Sequence, residues 1–468
     1  MNPKNWTDPA PDDRISHPTQ IVFEAGLRNH DIANTAYPIA HNRTWGPYRV
    51  PRKLHTRVIT EAYAGVVELG LYIHIPFCEH RCLYCEYCVV EPDEQADNPV
   101  YMEKLFQELD QYRDVLQTKD RTLYGFDIGG GTPGFVDAHY ISELMNRVRE
   151  SFKFRPDMVV SIETTPKLAA TQPEKLVIYH QAGIQRISIG LQVTQRQLLR
   201  AMEREVTGLQ YYKAAVEYIR EAGFERLNVD IMYGFAGQSL SDWRATVEYA
   251  IDLQPEFITT YRVRYKGTRI EKQSANVSIA QVREQVNLAK KLLAQAGYPA
   301  TPGKNTFSRI PGNSGASDYL TRRVVEGLPY LGLGLGAQSF SDTTLSYNTG
   351  AASKKLAPYL NAIDEGRLPI QDLYQLPQVQ AMGKMVAISF YFGEVDLKAF
   401  ETKFGISLKQ AYPDAVNFVL ENNLMVWTDH SLRLTDKGHD HFNGVIALFY
   451  APSVQKVLIE RSGLSSAP

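Results

Sequence analysis

All four cysteines of this 468-residue chain lie in one short segment, Cys78–Cys88, which reads "CEHRCLYCEYC". Thiol groups this closely spaced can bind zinc, pair as disulfides or hold an iron–sulfur cluster. Zinc favours a closed shell of four ligands, usually two separated CxxC pairs or a mixture of Cys and His. Here the spacing is C-x3-C-x2-C with one further cysteine, and the sequence has no second pair. Three thiolates on one loop can hold three irons of a 4Fe-4S cluster and leave the fourth iron open to another ligand.

The composition is typical of a soluble globular protein, with 44% apolar and 22% charged residues. The 50 lysines and arginines nearly balance the 52 aspartates and glutamates, so we expect no nucleic-acid partner and no binding to a membrane. The sequence contains neither a signal peptide nor an apolar run that could span a bilayer, which predicts a cytoplasmic location. In that reducing compartment, clustered cysteines are expected to bind metal rather than to form structural disulfides.

From residue 71 onward, short apolar runs alternate with segments that carry apolar residues at the i, i+3, i+4 spacing of amphipathic helices. Such strand–helix units predict a parallel sheet with right-handed crossovers and helices on its outer face. Because a closed barrel has eight such units and this chain has six, we predict an α/β fold with a partial, TIM-like (β/α)6 barrel. The predicted strands span residues 71–77, 122–129, 158–165, 185–192, 226–235 and 257–264.

Four segments are expected along the chain. Residues 1–67 lack periodicity and are predicted as an irregular N-terminal arm, and residues 68–345 as the barrel core with the cysteine loop. Within the core, the Gly/Ser-rich residues 301–317 predict a loop. Residues 346–375 are predicted as a linker helix. Residues 376–468 are predicted as an α+β cap resembling a winged helix, because a helix ending in "ENN" precedes two short strands.

Several polar residues sit at or near the C-terminal ends of predicted strands: Glu163, Gln192, Asp230 and Arg264. Barrel enzymes place their catalytic groups at this edge. Glu163 ends an apolar strand and Asp230 lies within a buried one, where an unpaired carboxylate would be costly. Both acids are therefore candidates for binding a ligand.

The first predicted strand and the glycine turn "GGGTP" at Gly129–Pro133 provide further candidates. Tyr72 and His74 alternate along the strand, so they share one face beside the cysteine loop. Glycines at 129–131 allow the backbone to approach a ligand closely and to offer N–H donors to a carboxylate.

The spacing CxxxCxxC, with the aromatic Tyr84 before the third cysteine, resembles the signature of the radical S-adenosylmethionine (SAM) superfamily. The flanking motifs "YIHIPFC", "GGGTP", "RISIGLQ", "NVDIMYGFAGQ" and "YLGLGLGAQSF" resemble those of its HemN-like subfamily, the oxygen-independent coproporphyrinogen III oxidase-like enzymes. The resemblance covers roughly residues 70–345, and the predicted cap also fits the family's pattern.

This resemblance implies a 4Fe-4S cluster held by Cys78, Cys82 and Cys85, with SAM chelating the open iron. An electron from a donor such as flavodoxin or ferredoxin splits SAM, and the resulting 5'-deoxyadenosyl radical abstracts a hydrogen from the substrate. The implied contacts to the first SAM are Tyr72, Gly130, Gly131, Thr132 and Glu163, and those to a possible second SAM are Gln192, Arg204 and Asp230. The pattern around Arg204 ("AMEREV") by itself indicates an exposed helix face.

The chain also departs from the family's pattern at three positions. Arg264 stands where the family has a small residue beside the second SAM. Its guanidinium can either bind a substrate carboxylate or clash with a second SAM. Gln338 replaces an apolar residue or histidine in the cofactor site. Cys88 lies three residues beyond Cys85 rather than two, and we assign it no ligand role. Together with the two strand residues beside the cysteine loop, Arg264 completes the set of candidate catalytic residues: Tyr72, His74 and Arg264.

Three functions are compatible with these features. The primary prediction is a radical SAM oxidoreductase resembling coproporphyrinogen dehydrogenase, which decarboxylates propionate side chains of a tetrapyrrole in porphyrin synthesis. The alternative is a HemN-like methyltransferase or cyclopropanase that uses two SAM molecules on an aromatic or heterocyclic substrate. The third is a haem chaperone like the HemW branch, although the "HNxxYW" segment usual in that branch does not precede "GLGLGA" here.

Overall fold

The computed structural model describes residues 6–204, 210–300 and 303–464. The predicted arm, the predicted loop and the predicted cap each include a few positions that lie outside these described residues. Within them, twelve strands form one large sheet and three more form a small sheet in the C-terminal region. The strands in chain order are β1 (Glu68–Ile75), β2 (Thr122–Gly130), β3 (Lys153–Phe154), β4 (Val160–Thr164), β5 (Arg186–Gln192), β6 (Arg226–Tyr233), β7 (Phe257–Arg262), β8 (Thr306–Ser308), β9 (Tyr330–Leu333), β10 (Gln338–Phe340), β11 (Thr344–Asn348), β12 (Ile370–Gln375), β13 (Glu394–Asp396), β14 (Met425–Trp427) and β15 (Ser431–Leu434).

Helices connect most of these strands. In chain order they are α1 (Thr19–Arg28), α2 (His41–Thr44), α3 (His55–Tyr63), α4 (Asn98–Leu116), α5 (Ala138–Ser151), α6 (Pro166–Thr171), α7 (Pro173–Gln181), α8 (Arg196–Ala201), α9 (Gln210–Glu221), α10 (Leu240–Asp252), α11 (Ile279–Gln295), α12 (Asp318–Thr321), α13 (Ala357–Asp364), α14 (Gln378–Ser389), α15 (Leu397–Phe404), α16 (Leu408–Ala411), α17 (Pro413–Glu421), α18 (Asp436–Asp440), α19 (Phe442–Ala447) and α20 (Pro452–Ser462).

The predicted parallel sheet is confirmed. All six predicted strands are present as β1, β2, β4, β5, β6 and β7, and each pairs in parallel with its neighbour in that order. Side chains on one face of these strands, such as Leu71, Ile73 and Ile75 of β1, are fully buried in the main hydrophobic core, and His74 on the other face of β1 is buried as well. This burial on both faces explains why the strands are recognisable as continuous apolar runs.

The sheet extends further than the sequence predicted. Strand β9 pairs in parallel with β1, and β10, β11 and β12 continue the sheet as antiparallel strands. The expectation of a linker helix over residues 346–375 is therefore wrong in part, because that segment contains the end of β11, helix α13 and strand β12. A side chain at Gly332 would meet the Gln338 carbonyl oxygen at 2.3 Å. The glycine-rich run thus allows β9 and β10 to pack closely.

The N-terminal arm is also more regular than expected, since it contains α1, α2 and α3. Helix α1 packs against α19 and α20 of the C-terminal region, and its Val22 and Ala25 are buried there. Only ten residues form α1, which is too few turns for helical periodicity to be a strong signal.

A buried polar network fixes the arm to the C-terminal region. The Gln380 side chain donates to Asp13 at 2.8 Å and accepts from Trp45 at 2.7 Å, while Tyr48 donates to Asp13 at 2.5 Å. The cap has the predicted order of a helix followed by two strands, in α17, β14 and β15. No helix in the described part of the chain is both long and apolar enough to cross a membrane.

Candidate functional site

A cavity of about 1210 Å³ lies at the C-terminal edge of the parallel strands. Every site residue predicted from the sequence lines this cavity: Tyr72, His74, Cys78, Cys82, Cys85, Gly130, Gly131, Thr132, Glu163, Gln192, Arg204, Asp230, Arg264 and Gln338. The carboxyl ends of parallel strands meet at one edge of the sheet, so residues distant in sequence come together there.

The cysteine loop leaves the end of β1 and is packed against the glycine turn that ends β2. The Gly131 N–H donates to Ile75 at 2.9 Å, and the Thr132 N–H donates to Phe77 at 2.7 Å. The Thr132 hydroxyl lies 3.3 Å from Cys78 Sγ. A Cβ at Gly131 would come within 3.0 Å of the same sulfur. The glycine therefore creates the space in which Cys78 sits.

The other end of the loop is held by the segment after α8. The Leu83 N–H donates to Met202 at 3.0 Å. Arg204 donates to the Tyr84 hydroxyl at 3.0 Å, lies 3.7 Å from Cys82 Sγ, and also bonds to the Gly190 carbonyl. The exposed helix face that the pattern indicated for Arg204 is wrong, because α8 ends at Ala201 and the Arg204 side chain turns into the cavity.

The donor set of this loop fits an iron–sulfur cluster. Cys78, Cys82 and Cys85 are half-buried free thiols, and burial raises the pKa of Cys78 to about 12. Such thiols need a bound metal to be held as thiolates. Among the described residues, no three His, Cys, Asp or Glu side chains converge as around one metal ion. Each thiolate on a 4Fe-4S cluster binds a different iron, so the three sulfurs need not converge on one point.

Tyr72, His74 and the backbone of Cys88 form a chain of hydrogen bonds beside the loop. His74 Nε2 lies 2.6 Å from the Cys88 carbonyl oxygen, which can only accept, so this nitrogen carries the proton. Nδ1 is then the acceptor for the Tyr72 hydroxyl at 3.3 Å. Burial lowers the pKa of His74 to about 4, which keeps the ring neutral. The Cys88 thiol donates to Gly350 at 3.2 Å.

Three carboxyl groups form the floor of the cavity. Burial, followed by repulsion from Asp230 and Asp127, raises the pKa of Glu163 to about 8. Burial likewise raises the pKa of Asp127 and of Asp230 to about 6. The Gly130 N–H donates to Glu163 Oε2 at 3.3 Å. This concentration of acidic groups favours a ligand that carries positive charge.

Gln192 has the backbone geometry expected of a constrained site residue. Its φ is 64°, in the left-handed region, and it lies at an irregularity in the β5–β6 pairing. Its Oε1 is buried without a hydrogen-bond partner among the described residues. Strain of this kind is retained where the surrounding structure needs it, often at ligand sites.

Two of the three departures from the family's pattern, Arg264 and Gln338, occupy different walls of the cavity. Arg264 forms an ion pair with Glu86 of the cysteine loop, at 3.3 Å. Gln338 of β10 accepts from the Tyr330 hydroxyl and, at 3.4 Å, from Arg323.

Sequence reasoning missed three residues of the site: Asp127, Arg186 and Arg323. Asp127 accepts from Ser317 at 2.5 Å, and Arg186 is buried under the acidic floor with Ser188 at 3.1 Å. An aspartate within the apolar strand "TLYGFDIG" was a usable signal. The sequence "TRRVVE" around Arg323 gives none, since it resembles an ordinary surface helix.

Comparisons with known proteins agree with this geometry. Residues 72–250 match the family model for the Radical SAM superfamily, and residues 392–440 match that for the HemN C-terminal domain. The curated "Heme chaperone HemW" of Lactococcus lactis is 25% identical over 385 residues, covering 81% of this chain and 96% of that protein. The "Oxygen-independent coproporphyrinogen III oxidase" of Cereibacter sphaeroides is 28% identical over 369 residues, covering 75% of this chain and 79% of that protein.

Among solved structures, HemN of Escherichia coli, a coproporphyrinogen III oxidase and radical SAM enzyme, superposes with a TM-score of 0.70. It is 22% identical, and the match covers 84% of this chain and 93% of that one. This similarity shows that the two chains share a fold.

Proposed function

We propose that this chain, in which residues 72–250 match the Radical SAM superfamily model and residues 392–440 match the HemN C-terminal domain, belongs to the HemN-like branch of that superfamily. Its proposed reaction is the oxidative decarboxylation of a carboxylate-bearing tetrapyrrole, as in an oxygen-independent coproporphyrinogen III oxidase. The observation that carries this proposal is the cavity that gathers the three thiols, the glycine turn and the acidic floor. Its volume of about 1210 Å³ is above the typical range of about 300–1,000 Å³ for a small-molecule site, so it has room for a cluster and SAM together with a substrate.

In this proposal, Cys78, Cys82 and Cys85 hold the 4Fe-4S cluster, and the turn Gly130–Thr132 with Tyr72 and Glu163 holds SAM. When bound there, the cluster and SAM would supply one-electron reductive cleavage of SAM and, through it, the capacity to abstract a hydrogen from the substrate.

The chain's own residues orient the reactants. Glu163 and Asp230 attract the positively charged groups of SAM, and the glycine N–H groups accommodate its carboxylate. The neutral His74 fixes the direction of the Tyr72 hydroxyl, so that this hydroxyl holds one orientation towards its ligand. Arg204, bonded to the loop at Tyr84, keeps the segment between Cys82 and Cys85 in place.

The charge of the opposite wall supports a substrate with several carboxylates. Several basic side chains line the cavity and make no direct ion pair with a carboxylate among the described residues, although Asp436 and Asp440 lie near one of them and Glu394 near another. They come from β7, from α11 and from the segments after β7 and before β8: Arg262, Lys266, Arg283, Lys290 and Lys304. Aromatic residues, among them Tyr391 and Phe442, line the same cavity. This combination suits a large, flat, anionic ring system.

Anaerobically reconstituted protein with dithionite, SAM and coproporphyrinogen III tests the proposal. We expect 5'-deoxyadenosine and a vinyl product, both abolished in Cys82→Ala. A methylated product instead would assign the chain to the alternative methyltransferase reaction. Wild-type protein that forms no 5'-deoxyadenosine would refute radical chemistry. Replacing dithionite with reduced flavodoxin or ferredoxin then tests the proposed electron donor.

A haem chaperone is the second candidate, because several relatives that cover most of the chain carry the name HemW. Haem titration separates the two functions: tight, stoichiometric haem binding without product formation from coproporphyrinogen III supports the chaperone.

A further inference from the structure

One wall of the cavity presents an arginine from an irregular helical segment. Helix α12 continues into a single π-helical turn, Arg322–Glu326, and this turn carries Arg323. The Arg323 guanidinium stacks over the Tyr330 ring, 4.2 Å from its centroid. It donates to the Tyr319 hydroxyl at 3.3 Å and to the Gln338 side-chain oxygen at 3.4 Å. π-Helical turns are rare and occur frequently at functional sites.

In the part of the chain that the structure describes, no carboxylate forms a direct ion pair with Arg323. Its only hydrogen-bond partners within the described residues are the neutral oxygens of Tyr319 and Gln338, and its Nε is buried without a partner. The neighbouring Arg322, by contrast, forms an ion pair with Glu326 at 3.4 Å. A half-buried guanidinium that remains charged and unpaired is costly to the folded protein.

Asp127 lies close enough to interact electrostatically with Arg323, but the hydrogen bond it accepts comes from Ser317. Basic groups also lie near the arginine: Lys384 is only 3% exposed, with its Nζ 5.6 Å from the centroid of the Tyr330 ring and 4.2 Å from that of the Phe340 ring. Burial lowers the pKa of Lys384 well below its usual value, and Arg323 and Lys403 lower it further. An anion bound beside Arg323 would relieve both the unpaired charge and this repulsion.

We propose that Arg323, oriented by Gln338 and Tyr330, binds a carboxylate group of the substrate. This inference rests on the proposed function and adds a recognition residue to it. The planar guanidinium offers parallel N–H donors that match a carboxylate, and its long bonds to Tyr319 and Gln338 are replaceable by shorter, charge-assisted ones. Stacking on Tyr330 fixes the plane of the guanidinium, so the bound carboxylate would set the orientation of the whole substrate. SAM also carries a carboxylate, and the experiment distinguishes these two sources.

The test compares Arg323→Gln with Arg322→Gln in the reconstituted full chain. The probe is coproporphyrin III, the stable oxidised form of coproporphyrinogen III, titrated by its fluorescence, with its fully methyl-esterified form as a neutral probe. SAM binding is measured separately by equilibrium dialysis. We expect Arg323→Gln to weaken coproporphyrin binding about tenfold, which corresponds to about 1.4 kcal/mol. We expect Arg322→Gln to stay within about twofold of wild type, SAM affinity to be unchanged in both, and the ester to bind wild type and Arg323→Gln equally.

The other outcomes contradict the inference in separable ways. Unchanged coproporphyrin binding in Arg323→Gln overturns it and leaves the proposed function intact. Weakened SAM binding with unchanged coproporphyrin binding overturns it in favour of the SAM carboxylate. Wild-type protein that cleaves SAM but does not bind coproporphyrin overturns the tetrapyrrole substrate together with this inference. If the circular dichroism spectrum shows that Arg323→Gln does not fold, Gln338→Leu replaces it in the binding test. This variant keeps the arginine but removes one of the acceptors that orient it. A coproporphyrin affinity of Gln338→Leu equal to wild type then overturns the inference.

Discussion

Replacing Gly131 by alanine is expected to displace the cysteine loop from the turn that supports it. A methyl group at this position would lie 2.7 Å from the Phe77 carbonyl oxygen and 3.0 Å from Cys78 Sγ. Neither atom is the free end of a flexible side chain: the first belongs to the backbone, and the second is on a short side chain beside Thr132. The added methyl can therefore be accommodated only if the loop moves.

The size of the effect follows from these distances. Carbon–oxygen contacts settle at about 3.3 Å or more, so the loop has to shift by about 0.5 Å. Overpacking of this kind costs about 1–3 kcal/mol in a well-packed interior. Metal sites tolerate ligand displacements of about 0.2 Å, so the same shift should impair cluster binding more severely than it impairs folding.

Two measurements on the same preparations test the expected effects on folding and on cluster binding. Urea denaturation of the metal-free protein gives the change in the free energy of unfolding, and iron and sulfide content after reconstitution gives the cluster occupancy. Gly65→Ala is the matched control, because a Cβ at Gly65 meets no atom within 4 Å. We expect this control to match wild type in both measurements.

The reasoning would be refuted by a Gly131→Ala protein that binds as much iron as wild type and whose free energy of unfolding lies within about 0.5 kcal/mol of the wild-type value. It would mean that the close packing of turn and loop does not position Cys78.

Three further outcomes are expected. Cys82→Ala should lose the cluster while Cys88→Ala keeps it, as measured by iron content and by the electron paramagnetic resonance signal of the reduced protein; loss in both variants would contradict the roles proposed for them. SAM affinity should rise as the pH increases towards 8, because Glu163, with its pKa raised to about 8, ionises over that range and then attracts the cationic ligand. Glu163→Gln should abolish this rise, and an unchanged pH profile in that variant would exclude Glu163 as its source. His74→Leu should lower the free energy of unfolding of the metal-free protein by about 1–3 kcal/mol, since it leaves the Cys88 carbonyl without its donor; urea denaturation equal to wild type would show that this bond contributes nothing.

The parallel strands could be predicted from the sequence because their burial on both faces imposes long apolar runs. Strands β8, β9 and β10 could not, because β8 and β10 have three residues each and β9 has four. Segments this short carry too few positions for a period of two to be distinguished from chance. The pairing of β9 with β1 depends on contacts between residues distant in sequence.

The candidate site likewise contains some residues that could be found from the sequence and others that could not. Glu163, Gln192 and Asp230 could be found because their polarity conflicts with the apolar strands that carry them, and strand ends meet at one edge. Their roles in binding SAM stay predictions. Arg204 and Arg323 gave no such signal, because an arginine on a helical pattern is ordinarily solvated. Only the end of α8 and the π-helical turn direct these two side chains into the cavity.

The buried network between the arm and the C-terminal region imposes an order on biosynthesis. Asp13, Trp45 and Tyr48 are synthesised more than three hundred residues before Gln380, their shared partner. At about 5–20 residues per second, the ribosome needs roughly 15–70 s to cover that interval. During this time the apolar side of α1 has no surface to cover it, while the barrel strands can already pair as they emerge. Residues 13–48 thus leave apolar surface uncovered on the nascent chain until translation reaches the cap.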